Sequence, residues 1–280
     1  MKKLQTLLAI AMSGVLLNAG LSASAQPAKP GYATVIRVKG ETTYSLDNGA
    51  HKYALVAGKY LEAGSTIYTG PDGIVDVVLG KAIEEPQATW APRRVSLAAD
   101  SPVRGLVSYK PTAEQNTVRL MPDSALTINK LTTTSSGADT VSDTELELKN
   151  GGIYASVKKL SPAAQYLVKT PTGIAGVRGT EFAISLNPDG TIKNVEVYKT
   201  VGDDGLVLAI TSAAGTTQTL LIKDGEMWSP GAPNPVPIPP AIMTILQEVF
   251  SHSKTPFWQI VSFDYDRTQT RTSSDVGDSF

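Results

Sequence analysis

From residue 33 to residue 222 the chain is written in short β-branched and apolar runs, broken about every eight to twelve residues by glycine, proline, asparagine or aspartate. Such punctuation leaves little room for the apolar repeat of an amphipathic helix, and no convincing repeat of that kind occurs before residue 240. Valine, isoleucine and threonine account for 68 of the 280 residues. Branching at Cβ restricts χ1 and packs well on a pleated surface, so these residues favour strands. Strands that follow one another without intervening helices argue against alternating βαβ folds and for an all-β domain over residues 32–229. The expected architecture is a two-layered β roll or sandwich, solenoid-like, with a short C-terminal amphipathic helix.

The runs can be placed one by one. Ala33–Lys39 ends at Gly40, and Thr42–Leu46 leads into Asp47-Asn48-Gly49, a strong hairpin turn signal. Tyr60–Leu61, Ser65–Tyr68 and Ile74–Leu79 follow, the last after a Gly70-Pro71-Asp72-Gly73 turn. Residues 81–116, with prolines at 86, 92, 102 and 111, read as a loop-rich insertion in which Val103–Tyr109 forms an edge strand. Thr117–Met121, Ala125–Lys130 and Glu145–Lys149 resume the pattern, and Thr132–Asp143, rich in Thr, Ser and Asp, reads as a mobile hairpin tip. Ile153–Val157, Gln165–Thr170, Val195–Tyr198, Leu206–Thr211 and Gln218–Ile222 complete the set. Gly73-Ile74-Val75-Asp76-Val77 and Gly173-Ile174-Ala175-Gly176-Val177 echo one another, which suggests two similar halves.

Six of the eleven residues from Pro230 to Pro240 are proline, the composition of an extended spacer. Beyond it, Ile242, Ile245, Leu246, Val249 and Phe250 fall on one helical face, so residues 241–263 read as a helix (Ala241–His252) plus the apolar Phe257–Phe263. That face is expected to close an open end or edge of the roll, with partner binding as the less favoured role. Residues 264–280 are polar and read as a disordered tail. At the other terminus, Lys2-Lys3, the apolar Leu4–Leu17 and Ala23-Ser24-Ala25 have the form of a secretory signal (residues 1–25) cleaved after Ala25. The apolar stretch is shorter than a bilayer-spanning helix, and no membrane span is expected after cleavage. The expected location is periplasmic or secreted.

Several chemistries are disfavoured by inventory. There is no cysteine, and the two histidines, His51 and His252, stand too far apart for a zinc spacing. No nucleophile–histidine–acid grouping is evident, the acid pairs Glu84-Glu85 and Asp203-Asp204 sit in turns, and a formal net charge of −1 offers no steering toward nucleic acid. The expectation is a non-enzymatic chain with no cofactor and no assigned metal.

One stretch is more specific than the rest. Gly64-Ser65-x-Ile67-x-Thr69-Gly70, Leu120-x-x-x-Ser124-x-Leu126-x-Ile128, Leu148-x-x-Gly151-Gly152-Ile153 and above all Thr170-Pro171-x-Gly173-x-Ala175-Gly176-Val177-Arg178-Gly179-Thr180-Glu181-Phe182 resemble the FecR domain over roughly residues 33–226. The resemblance implies an all-β periplasmic or extracellular domain. The best-known members relay a signal from an outer-membrane transporter to an extracytoplasmic-function sigma factor. Those relays carry a cytoplasmic anti-sigma segment ahead of a transmembrane helix, where this sequence has a cleavable signal. What carries over is a binding or scaffolding module, its partner an envelope protein or a polysaccharide, and the competing class is a carbohydrate- or matrix-binding module. Arg178, Thr180 and Glu181 are the candidate binding residues, because a guanidinium fork suits bidentate capture of a carboxylate. For Arg178 the favoured reading is an internal pair with a carboxylate such as Glu181 or Glu145, holding the sharp turn at Gly176 and Gly179. Gly173, Gly176 and Gly179 are expected to let the backbone bend or approach another strand.

Overall fold

The computed structural model describes residues 28–80, 103–109, 116–136, 139–202, 205–212, 215–253, 257–263 and 272–275. The signal segment, Glu84-Glu85, Trp90 and Asp203-Asp204 lie outside them. The described residues form two large sheets and one helix, and neither large sheet closes into a barrel. The first sheet runs, in spatial order, through Tyr53–Ala54, Thr42–Ser45, Thr66–Thr69, Ala125–Ser136, Asp139–Asn150, Gln165–Thr170, Gly173–Val177, Leu206–Thr211 and Thr217–Ile222, with Lys29–Pro30 added alongside Ala125–Ser136. The second runs through Tyr60–Leu61, Tyr32–Lys39, Ile74–Gly80, Asn116–Leu120, Gly152–Ser156, Thr180–Leu186, Ile192–Thr200, Glu226–Trp228 and Val236–Pro237.

Both orders follow the chain with a single local reversal at the N-terminal end. The polypeptide therefore advances along two sheets at once, crossing between them as it goes, which is the solenoid-like winding expected from the strand cadence. The Asp143–Glu147 and Gln165–Lys169 segments pair in parallel, whereas the other described pairings are antiparallel. The exception has a simple cause: between the two, the chain visits the second sheet as Gly152–Ser156 and returns in its original direction.

The core lies between the sheets. Val35, Ile67, Leu126, Leu146, Val168, Phe182, Ile184, Val195 and Ile222 are essentially inaccessible, and alternate residues of these strands point outward. The helix, Pro240–Ser253, sets Leu246 and Phe250 against Ala183, with Ile242, Met243, Tyr154, Tyr198 and Met227 packed around them. It lies on the outer face of the second sheet rather than over an end or edge. Met243 takes the place expected of Ile245, which is 52% exposed.

Two further expectations change. Thr132–Asp143 is not a loop tip: strands Ala125–Ser136 and Asp139–Asn150 pair as far as Ser136 and Asp139, and Lys29–Pro30 pairs at Thr132 and Thr133. Consecutive β-branched threonines with pairing partners outweigh the turn preference of the Ser and Asp around them. The echo between residues 73–77 and 173–177 does not mark equivalent halves. Thr66–Thr69 hands over to Ile74–Gly80 by crossing between sheets, whereas Gln165–Thr170 and Gly173–Val177 form a hairpin within one sheet. Val103–Tyr109 is an edge strand, in a three-stranded sheet with Phe257–Phe263 and Thr272–Asp275.

Candidate functional site

The Val177–Glu181 segment carries the chain from the first sheet to the second. Gly179 makes the bend at φ +96°, and a Cβ there would stand 3.0 Å from Lys159 Cα. Gly173 has ordinary backbone angles but is closely approached, its Cβ position lying 2.8 Å from the Ala209 carbonyl oxygen. Gly176 needs neither explanation, because a Cβ would meet Leu167 Cδ2 at 3.7 Å, an ordinary contact.

The three candidate binding residues do not converge. Thr180 points inward, fully buried, and its hydroxyl donates to the Gly205 carbonyl at 3.4 Å. Glu181 points outward, where Ser156 Oγ donates to its Oε1 at 3.4 Å. Arg178 stays at the turn and donates from Nη2 to the Pro162 carbonyl at 3.1 Å, so it ties two loops together. Glu145, considered above as its partner, is paired instead with Lys169 Nζ at 2.7 Å. Among the binding candidates, Glu181 is therefore the one placed on the outer face of the second sheet.

That face carries a row of side chains whose alignment is not evident from any single stretch of sequence. Cross-strand register places Arg37, Asp76, Arg119, Tyr154, Ala183, Glu196, Met227 and Val236 in one line across eight strands. The first three form an alternating charge cluster. Arg119 grips Asp76 with both ends of its fork, Nε to Oδ1 at 2.6 Å and Nη2 to Oδ2 at 2.9 Å, while Arg37 Nη1 donates to Oδ2 at 3.1 Å. The Asp76 side chain is 8% exposed, that of Arg119 15% and that of Arg37 21%. Burial opposes the charge on Arg119, but its bonds to Asp76 and the carboxylate's field more than compensate and hold its pKa above the ordinary value.

Further along the row, burial raises the Tyr154 phenol and the nearby Glu196 carboxylate adds to the effect. Burial likewise raises Glu196, against a short hydrogen bond donated by the Asn194 amide. The helix roofs this region. Phe250 meets Tyr154 edge-on at 6.1 Å between centroids and stacks on Tyr198 at 5.4 Å. Beneath Val249 and Phe250, beside Arg37, Asp76, Arg119, Thr117 and Ser156, remains a cavity of about 10 Å³, roughly the room of one water. A cavity of that size admits no organic substrate, and Asp76 already accepts three hydrogen bonds. The arrangement ties three neighbouring strands of the second sheet together.

Sequence reasoning missed this row because each charge interrupts a different apolar run: Val-Ile-Arg-Val, Val-Asp-Val and Val-Arg-Leu. The available signal was one isolated charge of alternating sign at the middle of each of three strands. Elsewhere, His51 belongs to the 45–51 turn. Asp47 accepts from Ser45 Oγ and His51 N–H and pairs with the His51 ring, contacts that hold its carboxyl well below the usual carboxylate range. Trp228 is buried and its Nε1 donates to the Ala232 carbonyl at 2.9 Å. Aromatic surface is richer at the N-terminal end, where Tyr44 and Tyr53 lie 5.5 Å apart and Lys59 and Lys52 sit over the Tyr44 and Tyr68 rings.

Among the described residues, no helix is long and apolar enough to cross a membrane, and no group of three or more His, Asp or Glu is arranged to hold a metal ion. Comparison with curated proteins gives no match. Comparison with family models does: residues 109–200, about one third of the chain, match the family described as FecR protein. This stretch, consistent with a FecR-family domain, supplies Arg119, Tyr154, Arg178, Thr180, Glu181 and Glu196.

Proposed function

We propose that the chain is an exported, non-enzymatic binding or scaffolding protein of the cell envelope that takes part in envelope signalling. FecR-family proteins work in cell-envelope signalling with partner proteins. The observation that carries the reading is that the arginines of the FecR segment, Arg119 and Arg178, are bonded within the fold itself. Arg119 binds Asp76 on the neighbouring strand, Arg178 binds the Pro162 carbonyl, and the space under the helix has room for about one water. Chemistry of that kind builds a rigid platform, and recognition then falls to its outer surfaces. Export rests on the Lys2-Lys3, Leu4–Leu17 and Ala23-Ser24-Ala25 pattern, with cleavage after Ala25 and a periplasmic or secreted destination. The domain is proposed to span residues 32–229, and the proline-rich 230–240 segment leads from it to the helix, pairing with the second sheet at Val236–Pro237 on the way.

Deleting the gene and complementing it with the wild type tests this reading. An envelope-stress or uptake reporter that changes on deletion and recovers on complementation supports signalling. A reporter indifferent to both refutes it.

The competing reading, an extracellular carbohydrate- or matrix-binding module, has one specific observation behind it. Tyr53, tilted against Tyr44, is 51% exposed, and Tyr60, edge-on to Tyr32, is 42% exposed. Sugar rings stack on such surfaces. Retention of the protein on isolated envelope polysaccharide, lost in a Tyr53→Ala variant, would select this alternative.

A further inference from the structure

The ends of the two large sheets are not built alike. A terminal strand exposes a row of backbone N–H and C=O groups, and natural sheets blunt such rows with short strands, prolines or charges. Three of the four ends here follow that rule. Tyr53–Ala54, beside Lys52, and Tyr60–Leu61, between Lys59 and Glu62, are two residues long. Val236–Pro237 is equally short and lies among Pro235, Pro237 and Pro239, which lack a donor N–H.

The fourth end, Thr217–Ile222, follows none of it. The strand is six residues of Thr-Gln-Thr-Leu-Leu-Ile, with no charge, proline or glycine. No strand among the described residues pairs with its far side. Thr217, Gln218 and Thr219 are all exposed, so the open side is accessible from both faces of the sheet. Behind it Leu221 and Val207, cross-strand partners, are each 44% exposed, and Ile174 on the next strand is 42% exposed. A strand edge without protection, backed by exposed apolar side chains, is a place where another strand adds.

We propose that Thr217–Ile222 is an association edge at which a second copy of this chain adds antiparallel, joining two first sheets into one across a two-fold axis. The strand is complementary to itself. Centred on Leu220, the pairing sets Gln218 opposite Ile222 and Thr219 opposite Leu221, so partners share a face and each uncharged polar residue lies beside an aliphatic one. No charge faces its own copy, which removes the usual penalty of a two-fold contact. The Leu221–Val207–Ile174 patches of the two copies then lie side by side.

The test is sedimentation and light scattering of the intact protein over a concentration series. The expected result is a species of twice the monomer mass. A Thr219→Lys/Leu221→Lys variant is expected to be monomeric with an unchanged circular-dichroism spectrum and melting temperature, since both side chains are exposed. The chain has no cysteine, so Thr219→Cys gives a single thiol. Across the axis the two copies of residue 219 are diagonal neighbours, roughly 7–8 Å apart, within reach of a short bismaleimide. Glu62→Cys, at the far end, is expected not to cross-link. A protein monomeric throughout, a dimer that survives the double lysine substitution, or equal cross-linking at residue 62 overturns the proposal. A monomer that gains mass only on addition of envelope extract assigns the edge to a foreign strand and overturns self-pairing equally.

Discussion

Removing the carboxylate of Asp76 is expected to cost more stability than removing any exposed charge in the protein. Asp76→Ala takes away the acceptor of three hydrogen bonds from two guanidinium groups and leaves Arg37 and Arg119 facing each other with no counter-charge between them. Breaking a buried ion pair by deleting one partner costs about 3–5 kcal/mol, because the surviving charge stays desolvated. Arg37 and Arg119 retain 21% and 15% of their exposure, which places this case at the lower end, about 3 kcal/mol. For a chain of this size that corresponds to a fall in melting temperature of roughly 6–12 °C. The internal control is Lys130→Ala, which removes an ion pair to Asp143 whose side chains are 52% and 34% exposed and is expected to cost less than about 1 kcal/mol. Thermal and urea unfolding followed by circular dichroism measures both. Replacing Arg37, Asp76 and Arg119 together by leucine, beneath Val249 and Phe250, is expected to recover most of the loss, since no charge is then left buried. If Asp76→Ala and Lys130→Ala cost the same, the row is not a structural clamp and the reasoning fails.

Four other outcomes follow from the same geometry. Tyr166 is fully buried with its hydroxyl unpartnered, and burial pushes its phenol far above the ordinary range; Tyr166→Phe is expected to raise unfolding stability by about 1 kcal/mol. Burial raises the Glu196 carboxyl above its ordinary 4.5, so folding favours its protonated form: stability gains as pH falls from neutrality through the folded pKa and levels off below the ordinary value. Glu196→Gln should therefore be more stable than wild type at neutral pH and lack that gain, which urea midpoints across the acid range will show. Gly151 adopts φ +75° with a Cβ position 2.3 Å from Ser124 Oγ and 2.6 Å from the Asp123 carbonyl; Gly151→Ala should cost about 2 kcal/mol or more, whereas Gly176→Ala should lie within about 1 kcal/mol of wild type in the same denaturant titration. Arg178→Ala loses the bond to the Pro162 carbonyl and is expected to cost about 1 kcal/mol; an unchanged melting temperature together with lost partner binding would restore Arg178 as a contact residue.

The local structure was legible because strands announce themselves locally. Runs such as Ile74–Leu79 and Gln165–Thr170, each followed by a glycine or proline turn, became strands within a residue or two of their expected bounds. The helix was equally plain, since its apolar face repeats within twelve residues, although the choice between Met243 and Ile245 depended on where the sheet beneath it lay. What escaped was whatever depends on register. Arg37, Asp76 and Arg119 are separated by dozens of residues, and only pairing along successive strands aligns them. The same gap explains Val177–Glu181: its glycines and arginine marked a special stretch, but whether Arg178 met a carboxylate or the Pro162 carbonyl was decided by a loop sixteen residues upstream. The Thr132–Asp143 tip was misread for a related reason, because threonines that look loop-like alone become strand once Lys29–Pro30 and residues 139–144 lie beside them.

The proposed role as a FecR-like binding platform of the envelope can be checked by immobilising the protein, passing envelope extract over it, and treating the bound fraction separately with protease and with glycosidase. The expected result is a retained component released by protease and indifferent to glycosidase. Retention that survives protease and is lost to glycosidase, or no retention at all, would contradict it.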